Sequence, residues 1–264
     1  MLRFQLSYPT PQHQQAAETA FRFFHSLPGV DTVLVVNSLA RGQGIPESDL
    51  DMNVLLRQGV PNAEIARMEA AWKQERAHNE VLRRFTASGE HAHVHLDVVN
   101  GQFVPETWDD GGGPDGFELG IGNMLAYAAP MHEAGPRYHA LQAQWLPFYN
   151  ENLRAQRLKM VRDACAYDLD HVPFFVRREL YFQAFDRLYK AFQEFLQALF
   201  IARRVYPLAY NKWIRMQVED WLGLPELYTA LPRIISVPDI QSAELVDKAS
   251  DLRALLNHWT IDKQ

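Results

Sequence analysis

The chain has one cysteine, no long apolar run and no excess of positive charge. Cys165, alone among 264 residues, excludes an internal disulfide. It fits a reducing, cytoplasmic setting. No stretch approaches the roughly 20 apolar residues of a membrane span. The opening residues, Met1 to Leu6, contain no apolar leader core, so secretion is not expected. The formal net charge of −6 argues against a general polyanion binder, and any basic site must be local. Internal repeats, zinc-finger spacings, a P-loop and a nucleophile elbow are also missing. What remains is a chain of ordinary hydrophobic content, long enough for one large or two modest domains.

The most informative stretch runs from Val33 to Leu56. Val33 to Val36 is an apolar run of strand type. Asn37-Ser38-Leu39-Ala40-Arg41-Gly42 is a polar turn, followed by a Gly/Pro-containing loop and a second strand from Asp49. Strand side chains alternate between faces, so Asp49 and Asp51 point one way and Leu50 and Met52 the other. Two carboxylates on one face repel unless a cation sits between them. Oxygen-only ligands suit a hard ion such as Mg²⁺, which takes one or two carboxylates plus substrate phosphates.

Ser38, a spacer of ten residues and Asp49-Leu50-Asp51, each half on a strand, resemble the signature of the nucleotidyltransferase superfamily, which includes DNA polymerase beta. The likeness is to its small bacterial, aminoglycoside-type members. Asn37 stands where the pattern has Gly, and Asn tolerates positive φ better than most residues. The alternating segment from His93 to Val99 reads as a half-buried strand. Asp97 lies on its polar face and matches the family's third carboxylate, as metal ligand or as general base. The resemblance implies Asp49, Asp51 and Asp97 as catalytic and metal-binding residues. It places Ser38, Asn37 and Arg41 at the nucleotide.

The implied fold is α+β: a mixed-sheet catalytic domain over residues 1–135 and an α-helical domain over 136–264. A first helix is expected over 12–27 and a second over 61–84, joining the Asp-x-Asp strand to the Asp97 strand. Residues 101–120, rich in Gly and Asp, read as a mobile surface loop or lid. Residues 128–132 read as a strand end or turn. Beyond the boundary, helices are expected over 152–167 and 174–202. In the second of these Phe182, Phe185, Tyr189 and Phe192 form a core stripe, with Gln183, Arg187, Lys190, Glu194 and Gln197 on a polar stripe.

Residues 176–215 hold eight Lys or Arg and three acids, a net +5 that leaves −11 for the rest. Segregated positive charge suggests an anion site. Arg203-Arg204-Val205-Tyr206-Pro207 and Lys212-Trp213 resemble a segment of helical C-terminal domains in this family. The resemblance implies that Lys190, Arg204 and Lys212 face the triphosphate.

The expected activity is Mg²⁺-dependent transfer of an NMP from an NTP, ATP first, to a hydroxyl of a small-molecule or protein acceptor, with release of pyrophosphate. Two alternatives stand beside it. Asn37 in the Gly position suits a non-catalytic nucleotide-binding or toxin–antitoxin-type module. His91, His93 and His95 with Asp97 suit a zinc- or iron-dependent hydrolase, although ligands on one flat strand converge poorly on a single ion. In the first reading His95 orients Asp97 or contacts the substrate.

Overall fold

The computed structural model describes residues 4–108 and 110–261. Met1 to Arg3, read above for an apolar leader, and Asp109 of the Gly/Asp stretch lie outside the described residues. The architecture is mixed α+β, and the chain divides into two compact units. Unit 1 comprises Met1–Phe103 and Ile121–Pro147; unit 2 comprises Val104–Gly120 and Phe148–Gln264. The chain passes between the units three times, at 103/104, 120/121 and 147/148, where one cut at 135/136 was expected. Residues 104–120 belong with the helical unit, and a helix at Pro136–Trp145 stays with the sheet.

Unit 1 opens with α1 (Pro11–His25), which has Thr10 as N-cap and Pro11 in its first turn. Then come β1 (Val30–Val35), a four-residue helix α2 (Asn37–Ala40) and β2 (Leu50–Leu56). The helix expected over 61–84 is two helices, α3 (Asn62–His78) and α4 (Glu80–Thr86). Asn79 is the break. Its backbone is extended, and its side-chain oxygen accepts from Val81 N and Leu82 N, so it caps α4.

β3 (Val94–Val99) follows, and β4 is the short Ala129–Pro130. The sheet order is β3-β2-β1-β4. β2 pairs antiparallel with β1 and parallel with β3, the parallel step being bridged by α3 and α4. Leu50, Met52, Val54, Val33, Val35 and Val94 pack against Ala16, Ala20 and Phe24 of α1 and against Trp72, Leu82 and Phe85. The alternation of β2 therefore does what its sequence asks: every second residue feeds the core.

Pro136–Trp145 forms the last helix of unit 1. Its first turn is tied to β1, because Asp31 accepts from Arg137 N at 3.1 Å and Tyr138 N at 3.0 Å. Gly135 is required there, since a Cβ would lie 2.5 Å from the Asp31 carboxyl.

Unit 2 is built on two long antiparallel helices, Glu151–Val176 and Tyr181–Arg203. The break between them comes later than expected. The first helix runs past 167 to Val176, and Glu179 at φ 58° ends the turn that follows. The interface is Leu158, Val161, Cys165, Leu169 and Val172 against Ala184, Leu188, Phe192, Phe195 and Leu199. Phe182, expected in this core, is 76% exposed. Small Ala184 and Ala191 take the positions facing the partner helix. Two C-terminal helices, Pro225–Ile235 and Glu244–Trp259, complete the core.

Residues 104–120 are not a free loop. Arg157, Asp115 and Glu118 are all buried. Arg157 donates to Glu118 at 2.6 and 2.8 Å and to Asp115 at 2.7 Å, and Gln197 bonds both carboxylates. Glu194, placed on a polar stripe by its spacing, is fully buried and accepts from Gly113 N at 3.0 Å. Arg187 donates to Gly111 O and to the buried Asp168. Asp115, one of the acids that made this stretch read as solvated, is a group that pins it down.

Arg157→Ala should lower the stability of unit 2 by about 3–5 kcal/mol, because it strands two buried carboxylates; urea unfolding followed by tryptophan fluorescence reads the loss. Burial pushes the Glu194 carboxyl up to about 8, with Asp168 adding to the rise and the N–H groups of Gly113 and Gly112 opposing it. The folded state therefore holds a proton that the unfolded state releases near pH 4.3, and stability falls as pH rises from there through about 8. Urea midpoints measured across that window should slope downward for the wild type and be flatter for Glu194→Gln.

Candidate functional site

The candidate site lies on the face of the sheet opposite α1. It is assembled from the end of β1, α2 and the start of β2. β1 closes on Val36, whose N–H donates to Asp51 O at 3.0 Å. Asn37 then turns the chain with φ 57°, in the left-handed region. A Gly or Asn is suited to that conformation, and a β-branched residue is not. The Asn37 side chain goes further than a glycine can: Nδ2 donates to Asp51 Oδ2 at 2.8 Å. The turn and the second strand are thus joined through the carboxylate itself. Ser38, half-buried, follows on α2.

Arg41 is 7% exposed. Burial brings its guanidinium down to about 10, opposed by Tyr127 and Asp51, so it stays charged at neutral pH. Its Nε donates to Gln43 Oε1 at 3.1 Å. Gly42 adopts φ +70°, and a Cβ on it would lie 2.8 Å from Gln5 O. The turn thereby lies close against the N-terminal segment, where Ser7 N donates to Leu39 O at 3.1 Å.

Asp49 and Asp51 are both half-buried and flank the buried Leu50, as alternation requires. In the parallel β2–β3 register Asp51 pairs with His95 and Asn53 pairs with Asp97. Registered residues in a parallel pair share a face, so Asp97 stands on the same face as Asp51, one diagonal step along. From strand spacing and rise that step is roughly 8 Å between α-carbons. Asp97 is exposed, not turned into the core. His95 Nε2 lies 3.6 Å from Asp49 Oδ2, so it neighbours Asp49 instead of orienting Asp97. Among the described residues, no three His, Cys, Asp or Glu side chains are gathered into a metal-holding group.

The expected basic residues all belong to unit 2. Lys190 Nζ is ion-paired with Asp186 at 2.8 Å, one helical turn away. Arg204 caps its helix in the left-handed conformation and bonds Glu151 at 2.9 and 3.0 Å. Lys212 is exposed. Arg187 and Arg215 are likewise paired, with Asp168 and with Glu219. Of the +5 read from residues 176–215, three charges are paired within unit 2 by acids from outside that window, Asp168, Glu151 and Glu219. Three contacts escaped the sequence reading. The Asn37–Asp51 bond needs the turn's φ; the burial of Arg41 needs Tyr127, distant in the chain; and His95 opposite Asp51 needs the strand register.

Asn37→Gly should leave thermal stability within about 1 kcal/mol, since the left-handed turn is kept and one hydrogen bond is lost. Asn37→Val should cost more by about 1–2 kcal/mol of added backbone strain; differential scanning calorimetry of the two variants separates bond from backbone. The chain matches no protein-family model and no curated protein.

Proposed function

We propose that the chain is a Mg²⁺-dependent nucleotidyltransferase of the DNA polymerase beta type, moving an NMP from an NTP, ATP first, to an acceptor hydroxyl. The observation that carries the reading is the pairing of the left-handed Asn37-Ser38 turn with the carboxylates of β2 through the Asn37–Asp51 bond. Ser38 and the α2 backbone are the proposed phosphate contacts, with Arg41 charged beside them.

Asp49 and Asp51 are hard oxygen donors on one sheet face, which fits Mg²⁺. They would hold the ion with Asp97 as third ligand. When bound, such an ion neutralises charge on phosphate oxygens. Asp97, exposed and one step along the face, is equally suited to accept the proton of the attacking hydroxyl. The acceptor oxygen attacks the α-phosphorus, the bond to the β-phosphate breaks, and pyrophosphate leaves. The resemblance also assigns Lys190, Arg204 and Lys212 to the nucleotide. At Lys190 and Arg204 a phosphate would compete with Asp186 and Glu151.

One observation favours a second reading, a nucleotide-binding or toxin–antitoxin-type module without turnover. The Asn37 amide already occupies Asp51 Oδ2, an oxygen that a cation would otherwise use.

With radiolabelled ATP and Mg²⁺, label transfer or pyrophosphate release is expected. Asp51→Asn should slow it by about 10²-fold or more, the scale of losing one preorganised electrostatic group. An unchanged rate in that variant overturns the assignment. Nucleotide binding with no turnover in the wild type selects the module.

A further inference from the structure

We propose that a basic groove on unit 1, between α3, α4 and the outer edge of β3, binds the acceptor, and that the acceptor is a compact phosphomonoester with a free hydroxyl. The role as acceptor rests on the nucleotidyl-transfer reading; the phosphate binding does not. The groove has a volume of about 1320 Å³. Lys73 and Arg76 of α3, Arg83 and Arg84 of α4, and His93 and His95 line it, with Glu80 as its one acid.

These cations differ from those of unit 2. Arg84 is paired with Glu80, but the side chains of Lys73 and Arg83 carry no hydrogen bond or ion pair among the described residues. Arg76 spends one nitrogen on Val94 O at 3.2 Å, a carbonyl on the open edge of β3. Its guanidinium has five N–H donors in all. Like charges crowded into one groove repel, and an anion relieves that repulsion. The groove also adjoins the carboxylates, because His95 lines it and lies 3.6 Å from Asp49.

The chemistry narrows the occupant. A polycationic acceptor would be repelled by Lys73, Arg76 and Arg83. A nucleic-acid tract calls for cations along many phosphates and aromatic platforms for its bases. This groove offers three uncancelled cations and no Phe, Tyr or Trp. Three cations match one phosphoryl group, and a small phosphorylated alcohol places a hydroxyl within a few bonds of it.

The probe is glycerol 3-phosphate, titrated into the full chain by calorimetry and ³¹P NMR, with the double variant Lys73→Glu/Arg83→Glu as comparison. Both positions are exposed, and Lys73→Gln/Arg83→Gln serves if charge reversal disturbs the fold. The expected result is a loss of affinity of about tenfold or more in the double variant, with binding retained in Asp51→Asn. In the wild type, label from ATP should appear on glycerol 3-phosphate. No binding to the wild type, or equal binding to the double variant, overturns the proposal. So does tighter, steeply salt-dependent binding of a single-stranded oligoribonucleotide that the double variant loses, which would make the groove a polyanion track. Turnover of ATP indifferent to glycerol 3-phosphate overturns the acceptor role. Groove-dependent binding without any Asp51-dependent turnover upholds the phosphate site and sinks only the transfer chemistry.

Discussion

Unit 1 depends on the pairing of β1 with β2 across a turn that a left-handed asparagine makes. The pairing sets which face each residue of β2 occupies. Leu50, Met52 and Val54 go to the core, and Asp49, Asp51 and Asn53 go to the other face. A slip of one residue would bury two carboxylates and expose the apolar set, at a cost no small domain carries. The Asn37–Asp51 bond acts at the point where such a slip would start. The same contact that could seat a phosphate-binding turn therefore also fixes the register of the sheet.

The sheet was legible because its signals are local. Alternation from Asp49 to Leu56 and from His93 to Val99 defines two strands and their polar faces, and the intervening helical period requires a crossover. Boundaries were harder. Asn79 reads as one more polar residue within a helical pattern, and only its extended backbone reveals it as a cap. Glu179 likewise takes a left-handed conformation that no side-chain pattern announces. Residues 104–120 misled for a different reason. Turn composition describes what a segment does alone, whereas Asp115 and Glu118 are held by Arg157, which lies about forty positions away.

Charge counting failed in unit 2 for a related reason. A window sum leaves out every acid beyond its ends. Arg215 and Glu219 are one helical turn apart, so that cancellation was readable from spacing. Arg204 with Glu151 and Arg187 with Asp168 were not, because they join different helices. The reverse holds for α3 and α4. The sequence there mixes Arg67, Lys73, Arg76, Arg83 and Arg84 with Glu64, Glu69, Glu75 and Glu80, and its net charge is small. The fold sorts them, placing Lys73, Arg76 and Arg83 in one groove with a single acid that Arg84 already occupies.

Sorting of this kind bears on how an acidic chain could handle an anionic substrate. At a net −6 the long-range field repels phosphate, and salt screens that repulsion beyond roughly 8–10 Å. Inside that distance the nearest charges decide. Asp49, Asp51 and Asp97 form a negative strip that rejects phosphate unless a cation covers it, while Lys73, Arg76 and Arg83 form a positive one that accepts it without help. His95 stands at the border, lining the groove and facing Asp49. A ligand carrying both a phosphoryl group and a hydroxyl can satisfy the two strips at once, anion toward α3 and α4 and hydroxyl toward the carboxylates. A ligand with only one of these groups meets attraction at one strip and gains nothing at the other. The arrangement thus discriminates by the distance between two functional groups rather than by total charge.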